Sequence, residues 1–290
     1  MTRTGRRIVL GVSGHETAHL IAWAGRIVES GDTVRIVHAY SPIPYAATDW
    51  QLPVESDSLV REATARHVRQ AAARLRRQRP DVVVMDELTG TPPATALIEA
   101  ARDADLVLVG VPHCDRSRTV LARLLARAGC PVVVLGPADP VGAGPVTAVL
   151  RGTQADDQVL RAGFAEARKR RTGLLVLKPW QPPLDGGITF AETAEQKALD
   201  GYLAGWLADY PDVGVAAEVR FGDVLQVLTE HAMTADLLVV GLAEPAEDRQ
   251  LFDGMLDAVI SARTRPTMVI SESVRDRARP LVASGAGYYS

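Results

Sequence analysis

Short, nearly unbroken apolar runs punctuate the first half of the chain: IVLGV at 8–12, VVVM at 82–85, LVLVG at 106–110 and PVVVL at 131–135. Each is short, rich in β-branched residues and reads as a strand. Runs without polar alternation belong to strands covered on both faces, the situation inside a parallel sheet. The longer stretches between them carry helical periodicity. In the first half this predicts strands near 7–12, 33–40, 81–87, 105–110 and 131–135, with helices near 16–30, 57–78, 93–103 and 118–128. In the second half it predicts strands near 146–151, 173–178, 213–220, 236–241 and 266–271. Helices are expected there near 154–170, 190–209, 223–233 and 250–263. Alternating strand and helix make βαβ units, so the expected class is α/β, with two doubly wound five-stranded parallel sheets. Ligands of such sheets lie beyond the carboxyl ends of the strands, where the strand order reverses.

The two halves repeat one another. ADLVLVG at 104–110 returns as ADLLVVG at 235–241, 131 positions on (235 − 104). GTPPATALIEAARDAD, opening at Gly90, is answered by GDVLQVLTEHAMTAD, opening at Gly222; CPVVVLG (130–136) is answered by RPTMVIS (265–271), and RRIVLGVSG (6–14) by PVTAVLRGT (145–153). The Gly- and Pro-rich GPADPVGAGP at 136–145 reads as the linker. Domains are therefore expected at 1–138 and 145–274, followed by a flexible tail at 275–290 with no periodicity.

Composition narrows the field. Hydrophobic residues are 47% but aromatic residues only 5%, so each half has a core of its own built from Val, Leu and Ala. A formal net charge of −3 gives no general attraction to nucleic acid or anionic lipid, and the basic runs at 61–79 and 168–171 read as solvated helix faces. Two cysteines, Cys114 and Cys130, are too few for a disulfide framework or a Cys-based zinc site. No apolar run has the length of a signal-peptide core or a membrane span, so a cytoplasmic address is expected, with neither membrane nor nucleic acid as partner.

One string competes with this picture. HETAH at 15–19 satisfies H-E-x-x-H, the zinc-peptidase helix in which two His bind metal and the Glu activates water. The extended form requires Gly and then His further on, and Ala22 and Gly25 stand at those places. Nothing in the sequence ties a third ligand to His15 and His19, so the string reads as a chance match and no metal is expected. GVSGH also brushes against the nucleophile elbow G-x-S-x-G, but His15 obstructs the sharp turn and Ser13 has no assigned base.

The block opening at Gly90, with its ADLVLVG strand and the later CPVVV, resembles the universal stress protein family, and IVLGVSG followed by LIAWA is similar to that family's first strand and helix. The likeness covers about residues 6–136 and 145–272, as a tandem. It implies a Rossmann-like fold of the adenine nucleotide alpha hydrolase type. Many members bind ATP through an Asp ending the first strand, backbone after the second strand and a G-x-x-G-x(9)-G-[S/T] loop after the fourth. Glycines there let backbone N–H groups converge on phosphate at a helix N-terminus. By this resemblance the residual nucleotide site of the first domain would be Ser13, Ala39, Gly110 and Thr119.

Both copies depart from the pattern. Ser13 replaces the strand-one Asp, and GVPHCDRSRT (110–119) puts Arg118 in place of the last Gly. The loop is about five residues short, and Pro112 removes a further donor. In the second copy Arg151 takes the Asp position, and Pro179 falls where a backbone N–H should meet adenine. The loop GLAEPAEDRQLFDG (241–254) carries Glu244, Glu247, Asp248 and Asp253, which repel phosphate. The expectation is a non-catalytic tandem stress-response protein with no cofactor, acting through protein or small-ligand contacts. The alternative is an ATP-binding sensor with slow hydrolysis. The resemblance also implies self-association: an intrachain pseudo-dimer through 131–136 and 266–271, and a homodimer, with an unidentified protein partner.

Overall fold

A computed structural model describes residues 5–13, 17–39, 54–111, 114–136, 144–153, 155–181, 188–231, 234–242, 249–261 and 265–271. The chain divides into two compact units, residues 1–137 and 138–290. The expected tail at 275–290, and His15 and Glu16 of HETAH, lie outside the described residues.

The first unit runs β1 (Arg7–Gly11), α1 (Thr17–Ile27), β2 (Thr33–Ala39), α2 (Val54–Gln78), β3 (Val83–Thr89), α3 (Pro93–Ala101), β4 (Leu106–Gly110), α4 (Asp115–Leu125) and β5 (Val132–Leu135). Its strands are parallel in the order β3-β2-β1-β4-β5. The chain steps from β1 to β3 in one direction, then crosses back to β4 and β5. Right-handed crossovers consequently place α1 and α2 on one face and α3 and α4 on the other. In keeping with this, α1 packs on α2 and α3 on α4. The central strands are covered from both sides: Leu10, Val107 and Leu108 are fully buried. Burying each such side chain stabilises the fold by about 1.5–3 kcal/mol. The switch point lies between β1 and β4, so the carboxyl ends of β1, β2 and β4 form the rim on which a ligand would sit.

The second unit repeats the plan: β6 (Val146–Val149), α5 (Asp156–Arg170), β7 (Leu174–Trp180), α6 (Ile188–Asp209), β8 (Val215–Phe221), α7 (Val224–His231), β9 (Leu237–Leu242), α8 (Arg249–Ser261) and β10 (Thr267–Ser271). All its pairings are parallel, in the order β8-β7-β6-β9-β10. Gly11 pairs with Val109 and Val149 with Val240 in corresponding ladders, so Ser13 and Arg151, each two residues further on, occupy equivalent places.

Element identities follow the apolar pattern, while several boundaries move. The helix expected near 118–128 is α4, Asp115–Leu125, three residues earlier at each end. Asp115 in its first turn is a good start residue, because a carboxylate there meets the unpaired N–H groups and the positive end of the helix dipole. The strand expected near 81–87 is β3, Val83–Thr89. Asp32 holds the lower end of the first sheet. Its buried carboxylate accepts from the Arg6 backbone N–H at 2.8 Å, the Arg6 guanidinium at 2.8 Å and the Glu29 N–H at 3.0 Å. Burial alone would raise its pKa, but these donors hold it below the usual carboxylate range.

Candidate functional site

On the rim of the first unit, Ser13 is exposed two residues beyond β1, Ala39 is the half-buried last residue of β2, and Gly110 ends β4. The topology brings these three to neighbouring strand ends. Thr119 is placed differently. It lies in the second turn of α4, exposed, and its hydroxyl donates to the Asp115 carbonyl at 3.0 Å. That is an ordinary helical back-bond, in which the hydroxyl serves its own helix.

Between Gly110 and Asp115 only residues 111–114 remain to turn the chain from strand to helix. Cys114 is the N-cap, and its backbone N–H donates to the Ser117 hydroxyl at 3.2 Å. The Ser117 hydroxyl in turn lies 2.9 Å from the Cys114 carbonyl and 3.3 Å from its sulfur. The Cys114 N–H is thus taken up by a side chain of the chain itself, and Asp115 adds negative charge in the first turn of α4. The Ser117 hydroxyl, with backbone N–H groups of Ser117 and Arg116, lowers the pKa of the exposed Cys114 thiol.

The structure adds residues that no motif singled out. Thr17, buried in the first turn of α1, donates its hydroxyl proton to the Ser13 carbonyl. A hydroxyl has one proton, and a carbonyl can only accept it. The 2.9 Å contact between Thr17 Oγ1 and His67 Nε2 therefore requires the proton on His67 Nε2. His38, next to Ala39, directs a ring N–H at the Val12 carbonyl, while its Nδ1 is buried without a hydrogen-bond partner among the described residues. Burial lowers the pKa of His38, the Val12 carbonyl opposes this, and the nearby His67 charge lowers it further. At neutral pH His38 thus presents a neutral Nδ1 lone pair, able to accept a hydrogen bond. Fifty positions separate Thr17 from His67, so no local spacing could have paired them. His19 is half-buried in α1, and burial followed by the Arg26 charge lowers its pKa. Among the described residues no three His, Cys, Asp or Glu side chains are grouped as metal ligands.

In the second unit the turn from β6 to α5, the counterpart of that from β1 to α1, is closed from within. The backbone N–H groups of Arg151, Gly152 and Thr153 donate to the Asp156 carboxylate at 3.0, 2.7 and 3.3 Å. Gly152 takes φ 74°, and the three donors converge as they would on a bound anion. Asp156 is 5% exposed, and burial raises its pKa against the pull of the three N–H groups and of Arg151. Gly241, in β9, serves packing: a Cβ there would sit 3.3 Å from Ala155 Cβ and 3.4 Å from Val159 Cγ2. Pro179 lies within β7, opposite Arg220 of β8. Glu244, Glu247 and Asp248 lie outside the described residues, while Asp253 stands within α8.

Comparison with known proteins agrees with this architecture. Residues 5–136 match the Universal stress protein family. A universal stress protein of Mycolicibacterium smegmatis is 29% identical over 300 residues, covering 91% of this chain and 96% of the relative. One of Mycobacterium bovis is 28% identical over 262 residues, covering 82% and 84%. Among solved structures, a universal stress protein from Archaeoglobus fulgidus superposes with a TM-score of 0.64 at 13% identity, covering 92% of this chain and 96% of that one. At that identity the superposition speaks for the fold alone. Among the described residues no helix is long and apolar enough to cross a membrane. With a matched domain in the first unit, the same strand order in the second and relatives that run the length of both, the chain is similar along its length to universal stress proteins.

Proposed function

We propose that this chain is a non-catalytic stress-response protein whose two nucleotide sites are degenerate and which works by binding a protein or small ligand. The observation that carries this reading is the start of α4. Four residues, 111–114, link Gly110 to Asp115, the Ser117 hydroxyl sits at the helix start, and the helix opens on a carboxylate. The closed turn at Asp156 supports the same reading for the second unit. Titration calorimetry of the full chain with Mg-ATP is expected to give no stoichiometric heat. Micromolar, stoichiometric binding would overturn the reading.

A second reading, an adenine-nucleotide sensor with slow ATP hydrolysis, has one observation in its favour: Ser13, Ala39 and Gly110 do gather at neighbouring strand ends. Mass spectrometry of small molecules released on denaturing the purified protein separates the two. Recovered adenine nucleotide favours the sensor; another metabolite, or none, favours the first reading.

Self-association through 131–136 and 266–271 belongs to the same proposal. Val107 donates to the Pro131 carbonyl at 3.0 Å, and Leu238 to the Pro266 carbonyl at 3.0 Å. The alternation of a parallel ladder then turns the backbone groups of Val132 and Val134 away from β4, and those of Thr267 and Val269 away from β9. Those groups are available for mutual antiparallel pairing, within one chain or between copies.

A further inference from the structure

At the opposite border of each sheet stands a strand paired with one neighbour in its own unit: β3, beside β2, and β8, beside β7. An open parallel edge offers a row of N–H and C=O groups to any extended chain. In a parallel ladder the N–H and C=O of one residue point to the same side, and successive residues alternate. Val83 donates to the Asp32 carbonyl at 3.2 Å, so the groups of Val83 and Met85 face β2, while those of Val84 and Asp86 face outward. Leu174 donates to the Gly214 carbonyl at 2.9 Å, which turns Ala216 and Glu218 toward β7 and Ala217 and Val219 outward.

Both outward rows are met by a side chain from the crossover helix. In the first unit, Val68, Ala71, Ala72 and Leu75 of α2 are buried, so the next residue, Arg76, emerges at the sheet border. Its guanidinium donates to the Val84 carbonyl from Nε at 3.2 Å and from Nη2 at 2.6 Å, and reaches Asp86 Oδ1 at 2.9 Å. In the second unit, buried Leu199 and Leu203 seat α6, and the Glu195–Lys178 ion pair at 2.7 Å ties it to β7. Gln196 then reaches the border. Its Nε2 donates to the Ala217 carbonyl at 3.1 Å, and its Oε1 accepts from the Val219 N–H at 3.0 Å. An added parallel strand would place one residue opposite Glu218, and that residue would donate to Ala217 and accept from Val219. The Gln196 carboxamide makes the same two bonds.

We infer that the outer edge of each sheet is closed against strand addition by a second copy of this chain, by Arg76 at β3 and by Gln196 standing in for one residue of an incoming strand at β8. A unit able to pair at both borders could add copies without limit, whereas one closed border confines pairing to finite assemblies. This inference rests on the outer edges alone and is independent of the nucleotide and self-association readings above.

The test uses the full chain carrying Gln196→Leu, which keeps bulk but neither hydrogen bond, alone and with Arg76→Met. Amide exchange followed by NMR is expected to show the Val219 N–H exchanging at least about fivefold faster in Gln196→Leu, as loss of one hydrogen bond implies. Sedimentation of the double variant is expected to reveal larger species that grow with concentration beyond those of the unsubstituted protein. Unchanged exchange at Val219 overturns the role of Gln196. Faster exchange with unaltered sedimentation of the double variant overturns the edge closure. Should Gln196→Leu fail to fold, Gln196→Asn, one methylene too short to bridge both groups, is read by the same two measurements.

Discussion

His38 makes the first rim sensitive to pH. Burial, and the His67 charge after it, disfavour its cation in the folded chain. Its folded pKa therefore lies below the unfolded value, and the folded state binds fewer protons as pH drops below about 6.5. Stability is expected to fall as pH decreases from about 6.5 toward the folded pKa and to level off below it; His19, also lowered, adds in the same sense. Urea unfolding at a series of pH values checks this, and His38→Gln should flatten the slope. Asp156 makes a different case. Asp156→Ala strips the acceptor from three backbone N–H groups and should cost about 1–2 kcal/mol, while Asp156→Asn, which keeps an acceptor, should cost less. Thermal melts of the two variants give the ranking.

Among the elements, α4 and the pair α5–α6 show two uses of a helix. In α4 the start is what matters, since Asp115 opens the helix and the Ser117 hydroxyl takes up the Cys114 N–H. In α5 and α6 the matter is packing. Phe164 is fully buried and stacks on Trp206 at 5.8 Å and Tyr210 at 4.7 Å between ring centres, and the Arg168 guanidinium lies 4.4 Å above the Tyr210 ring. Phe164→Ala should destabilise the second unit by about 3–5 kcal/mol, because the cavity left under the two rings cannot collapse fully. Denaturant unfolding followed by tryptophan fluorescence reads this through Trp206.

For the whole molecule, the proposed pairing of the last strands makes a sharp prediction. Val134 and Val269 direct their N–H groups away from β4 and β9, so proline at either place removes a donor from the outward edge and none from the strand's own ladder. If the two halves pair through these strands, Val134→Pro and Val269→Pro should split a joint thermal transition into two. A single unchanged calorimetric transition in both variants would sink the pairing.

Much of this protein was legible in its sequence. Unbroken runs such as LVLVG at 106–110 and their recurrence at 235–241 determined the strands, the tandem and the α/β class, because burial on both faces leaves no room for polar alternation. Three matters were decided only by tertiary structure. The start of α4 at Asp115, three residues before the expected one, puts Thr119 in the second turn, where its hydroxyl bonds the Asp115 carbonyl. Thr17, His38 and His67 meet because parallel strands and a crossover helix bring residues of three separate segments to one rim. Arg76 and Gln196 are ordinary surface residues of amphipathic helices until packing sets those helices along the sheet borders. Their role depends on where a neighbouring backbone turns its carbonyls, and one-dimensional spacing does not encode that direction.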